Sequence, residues 1–241
     1  MLQSIKQIYG DKLAATDREI GSVKDFYFED TTWVIRDLVA DTGAWMPGRL
    51  VLISPHAVSG LPQGGKIVSV NLTRNQIEKS PPIESHKPVS RQYEEEYYRF
   101  YGLSRYWQGD SLWGTSGFPL LSPQVEAFLR QEAAEPSGME SRNDPHLRSG
   151  RTVSDYEIRT RDERIGRIKD FLVDDKTWEI RNLVVSLGHW GSAKDVLILP
   201  SQVERISWDE STVFVNLTKE AILESPVYDD GSKLSNVKVG Q

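Results

Sequence analysis

The chain has 241 residues, enough for one large domain or two small ones, and a formal net charge of −6 that argues against a general electrostatic hold on nucleic acid. It has no cysteine, which excludes disulfides, thiolate zinc sites and cysteine nucleophiles. No run approaches the roughly 18–20 apolar residues that span a bilayer, and the first residues hold no signal-peptide core, so a cytoplasmic protein without an integral membrane segment is expected.

In chain order, "DKLAATDREIG" predicts a short strand and a tight charged turn. "SVKDFYF" then reads as a strand rich in aromatic and β-branched residues, and "WVIRDLVA" as its hairpin partner across a four-residue loop, Glu29 to Thr32. That loop sets Phe28 opposite Trp33, Phe26 opposite Ile35 and Val23 opposite Leu38. It also sets Asp25 opposite Arg36 and Lys24 opposite Asp37, so a structural ion pair is expected between Asp25 and Arg36. "LVLIS" is a further strand stopped by Pro55, and "KIVSVNL" is the last strand. Thr73 is placed to cap a two-turn helix that ends at Ser80-Pro81.

About 145 residues later the chain says the same again. Residues 20–81 align on 165–226 without a gap, with 27 identities in 62 positions. Gly21/Gly166, Phe26/Phe171, Trp33/Trp178, Arg36/Arg181 and Trp45/Trp190 are among the shared residues, and a second ion pair is expected between Asp170 and Arg181. The shared side chains are read as packing residues. A unit of about 75 residues has a modest core, so the two copies are expected to pack as an internal pseudo-dimer.

The Ile-Gly-x-Val/Ile-Lys-Asp-Phe strand, the Ile-Arg-x-Leu-Val strand and the Val-Leu-Ile-x-Pro segment resemble the PRC-barrel family. That family is named for the photosynthetic reaction centre H subunit and includes the C-terminal domain of a ribosome maturation factor. The chain as a whole resembles bacterial tandem proteins of this family. The resemblance implies an all-β fold of two small PRC-like β-barrels, each with a short terminal helix. The expected boundaries are a first barrel at 1–82, an aromatic-rich helical connector at 83–129, a flexible linker at 130–151, a second barrel at 152–228 and a tail at 229–241. By analogy alone, the resemblance also raises a ribosome- or RNA-associated factor and a membrane-peripheral subunit. The H subunit has a membrane helix that is absent from this sequence, and the ribosome factor carries a different domain before its barrel, so neither role carries over whole.

In the connector, "SRQYEEEYYRFYG" predicts a three-turn helix from an N-cap at Ser90 to a stop at Gly102. Its aromatics have three readings: packing on a barrel, docking a protein partner, or stacking single-stranded nucleic acid, which Glu94, Glu95 and Glu96 oppose. Tyr97, Tyr98 and Trp107 are the candidate partner-binding residues, with Trp45 and Trp190 at the tips of two repeated loops or folded back over the barrel ends. His56, His86, His146 and His189 show no metal-ligand spacing, and no Walker loop, Gly-x-Gly-x-x-Gly or nucleophile elbow is present. The reading is therefore a non-enzymatic docking or scaffolding protein, with no catalytic residue, metal or cofactor and a protein partner of unknown identity.

Overall fold

The computed structural model describes residues 1–43, 45–62, 66–81, 83, 91–103, 105–119, 147–161, 163–188 and 194–229. From the N-terminus run β1 (Leu2–Ser4), β2 (Lys12–Ala14), β3 (Glu19–Glu29), β4 (Val34–Asp41), β5 (Leu50–Ile53) and β6 (Ile67–Ser69), then the helices α1 (Arg74–Glu78) and α2 (Arg91–Tyr101). The second half holds β7 (Leu147–Ser149), α3 (Gly150–Val153), β8 (Glu157–Arg159), β9 (Arg164–Asp174), β10 (Ile180–Ser186) and β11 (Asp195–Ile198). It ends with β12 (Val203–Ser207), β13 (Thr212–Val215), α4 (Lys219–Leu223) and β14 (Val227–Tyr228).

Two compact units result. One comprises Met1–Gln7, Ser149–Asp175 and Glu179–Gln241; the other comprises Ile8–Arg148 and Lys176–Trp178. Both are dominated by sheet. In the unit of the first repeat the strand order is β5-β4-β3-β2-β6, and in the unit of the second repeat β12-β13-β8-β9-β10-β11-β14. Strands at equivalent repeat positions occupy equivalent places, including a parallel pair that hairpin reasoning did not anticipate: β2 with β6, and β8 with β13. Phe26 and Phe171 are both fully buried, as the shared sequence requires.

The hairpin register differs from expectation. The pairs are Phe28 with Ile35, Phe26 with Leu38 and Asp25 with Val39. Two causes add. The loop is Asp30 to Trp33, because Trp33 takes a left-handed conformation (φ 57°) and closes the turn by donating its N–H to the Glu29 carbonyl at 2.8 Å. Trp178 takes the same left-handed conformation in the second copy, with φ 60°. A bulky residue rarely adopts this conformation. Here the ring compensates: Trp33 is buried and stacks on Phe28 at 5.4 Å. A β-bulge then leaves Arg36 as the extra residue between Ile35 and Asp37, and the second copy repeats it at Arg181.

The expected ion pairs are corrected accordingly. Arg36 binds Glu29 at 2.7 Å, and Arg181 binds Glu179 at 3.1 Å. Asp170 lies opposite Val184 and accepts from the Ser4 hydroxyl and from the Lys6 N–H.

The helix signals hold. Thr73 and Gln76 form a reciprocal capping box, and the Thr218 hydroxyl accepts from the Ala221 N–H at 3.3 Å. Gly102, at φ 64°, ends α2, and Leu103 N–H reaches back to the Tyr98 carbonyl at 2.8 Å. The Ser90 cap and most of the expected linker lie outside the described residues. The linker's last residues, 147–151, form β7 and the start of α3, so that stretch is structured.

Candidate functional site

In the unit of the first repeat, β4 is buried from Val34 through Ala40, polar residues included. A strand facing water on one side would alternate. The connector removes that water. Tyr97 hydroxyl donates to the Leu52 carbonyl at 3.0 Å and accepts from the Ser54 N–H at 2.8 Å, which fixes α2 to the end of β5. Tyr98 lies edge-on to Tyr106 and Trp107, and Trp113 is edge-on to His56 at 4.9 Å.

A polar cluster lies under this cover. Arg36, only 2% exposed, binds Glu29, donates to the Leu112 carbonyl, and stacks on Tyr106 at 3.7 Å and Trp113 at 5.0 Å. Glu94, fully buried on α2, accepts from the Tyr106 hydroxyl at 2.7 Å. Asp37 is fully buried too, and among the described residues neither of its carboxylate oxygens has a hydrogen-bond partner. Burial first, and the Glu94 charge second, push the Asp37 carboxyl well above the usual carboxylate range, with Arg36 opposing. Burial pushes the Tyr98 and Tyr106 phenols above their ordinary range. Burial and the Arg36 charge hold His56 down to about 4, so its imidazole is neutral; its Nδ1 sits 3.0 Å from the Ser54 hydroxyl.

Beside the cluster a surface cavity of about 560 Å³ opens, lined in part by Glu29, Arg36, Tyr106, Trp107, Asp110 and Leu112. Arg36 and Tyr106 belong to both. In the second repeat Arg181 is half-exposed, and Asn182, also buried, stands where the first copy has Asp37.

The sequence candidates divide. Tyr97 and Tyr98 are buried and structural, so they offer no ring to a partner. Trp107 is half-buried at the cavity. Trp45 is folded back: its indole N–H donates to the Ile20 carbonyl at 2.8 Å, and the Arg74 guanidinium covers the ring at 4.1 Å. Trp190 lies outside the described residues. Asp37 and His56 as cluster members were not foreseen; a charged residue within "WVIRDLVA" was the available signal.

Among the described residues no group of His, Asp or Glu is arranged to hold a metal ion, and no helix is long and apolar enough to cross a membrane. What the chemistry defines is a small sheet domain bearing an aromatic recess lined by the Arg36–Glu29 pair and Asp110. Residues 146–222 match the PRC-barrel domain family, so the second half of the chain contains a PRC-barrel domain. The match begins at the start of β7, ahead of the boundary expected from the repeat. No curated protein matches the sequence.

Proposed function

We propose that the chain is a non-enzymatic protein-docking module in which the first repeat is a diverged second PRC-barrel copy. Support for the second copy comes from the 27 shared residues and the common strand order. The observation that carries docking is the cavity. Trp107 presents part of its ring there beside Tyr106, Asp110 and Glu29, a combination suited to a basic or aromatic side chain of a partner. The overall net charge of −6 weighs against the RNA- or ribosome-associated alternative.

The test is crosslinking and affinity capture from the native cell, with wild type compared with Trp107→Ala. The variant should keep its far-ultraviolet spectrum and lose most of its specific protein partner, about tenfold or more for a hot-spot aromatic. Equal recovery by a folded variant removes this cavity as the docking site. Partner recovery that is lost on ribonuclease treatment or with removal of membranes would instead favour the ribosomal or membrane-peripheral readings.

A further inference from the structure

A carboxylic acid with no exposure and no hydrogen-bond partner is expensive to keep as an anion. Asp37 is such a group, and it lies under the connector that builds the cavity. The groups around it come from each element packed there: Arg36 beside it on β4, Tyr27 opposite it on β3, and Glu94 and Tyr98 on α2. His56 acts on the same cluster through Arg36. Tyr27 and Tyr98 keep their protons well into alkaline pH. Neutral Asp37 leaves the buried charges of Arg36 and Glu94 opposed. Ionised Asp37 adds a second negative charge that no donor among the described residues receives.

We propose that Asp37 is a proton-operated latch for the cavity: while the carboxyl is protonated the connector stays seated on β4, and when the proton leaves, the connector lifts and the cavity comes apart. This rests on the docking reading only for its biological use, since it would regulate that same site. The second repeat supplies the comparison inside one chain. There the equivalent residue is Asn182, which cannot ionise.

The pH profile follows from linkage. Protonated Asp37 favours the seated state, and that advantage is lost as pH rises from its exposed value near 4 to its raised seated value. Between these limits the seated-to-lifted ratio falls about tenfold per pH unit. Neutral His56 acts in the opposite direction from about 4 to its ordinary 6.5, because the lifted state binds the proton there. The two slopes offset one another where both act, and above about pH 6.5 His56 no longer contributes, so a remaining slope belongs to Asp37.

Hydrogen exchange of the full chain, corrected for intrinsic rates, reads this directly. Above pH 6.5 the opening constant of peptides within 94–113 should rise in wild type, by up to about tenfold per pH unit until the raised carboxyl value is passed, and stay flat in Asp37→Asn. A flat wild-type profile, or an equal slope in Asp37→Asn, overturns the latch. Should the variant fail to fold, carboxyl-carbon NMR of wild type decides: the Asp37 resonance must titrate well above the ordinary carboxylate range, and titration within that range overturns the proposal. If the latch operates while Trp107→Ala captures partners normally, the docking reading falls and the latch stands. The reverse pair of results separates them the other way.

Discussion

Gly21→Ala is expected to destabilise the unit of the first repeat by about 3–5 kcal/mol, combining backbone strain of ~1–3 kcal/mol with a forced overlap of similar size. Gly21 has φ 138°, and a Cβ built there lies 1.9 Å from the Asp41 carbonyl oxygen, which is backbone and cannot rotate away. Neither strand has room to shift, since β3 is paired with β2 at Gly21 and with β4 at Ser22. Gly166 meets the same obstacle, with its Cβ 2.3 Å from the Ser186 carbonyl oxygen. Gly43 is the control. It is repeated as Gly188 and has φ 59°, but its Cβ would meet nothing within 4 Å. Gly43→Ala should therefore cost only about 1 kcal/mol, the ordinary price of a left-handed residue. Urea denaturation and thermal melting of the two variants check this, with a drop of about 10 °C for Gly21→Ala at ~2–4 °C per kcal/mol. A Gly21→Ala protein within about 1 kcal/mol of wild type would show that the two strands can separate at this point.

These glycines also show what the sequence could and could not convey. The repeat announced the shared architecture because each copy must solve the same packing and close-approach problems at the same positions. Thr73 and Gly102 were legible because a cap acts within one turn of chain. The register was not legible. It depends on Trp33 adopting a left-handed conformation that its residue type disfavours, and on a bulge whose extra residue carries no sequence mark. The connector's aromatics were visible but ambiguous, since stacked helical aromatics suit packing and docking alike. Burial decided for packing at Tyr97 and Tyr98 and left Trp107 half-covered. Asp37 was read as a cross-strand partner of Lys24. Its real setting is made by Glu94 and Tyr98, 57 and 61 positions further along the chain, a distance no local pattern spans.

Deletion of residues 1–7 is expected to damage the unit of the second repeat, more than 160 positions away. β1 pairs with the end of β9, Leu2 facing Asp174 and Ser4 facing Leu172. The same offset of about 145 places Leu147 and Ser149 where the first copy has Leu2 and Ser4, and β7 pairs with β3. The opening strand of each copy thus lies in the sheet built from the other copy's long strand. Three features tie β1 in place. Ile5, which follows it, is 1% exposed, a burial worth ~2–5 kcal/mol by analogy with large-to-small core substitutions. The Ser4 hydroxyl and the Lys6 N–H both donate to Asp170, whose carboxyl is held above its usual range by burial, with these bonds opposing. The N-terminal ammonium meets Asp175, but it is exposed and adds little. Without β1, Asp170 keeps only the Phe171 N–H at 2.7 Å among these donors, and the backbone of Leu172–Asp174 loses its ladder partner on one side, keeping β10 on the other. Hydrogen exchange should therefore show loss of protection across 170–174. If each copy instead kept its own opening strand, the loss would fall on the corresponding end of β3, within 25–29. Exchange that changes in β3 and not in β9 would refute the crossed pairing, and with it the assignment of Asp170 as the residue that anchors the N-terminus.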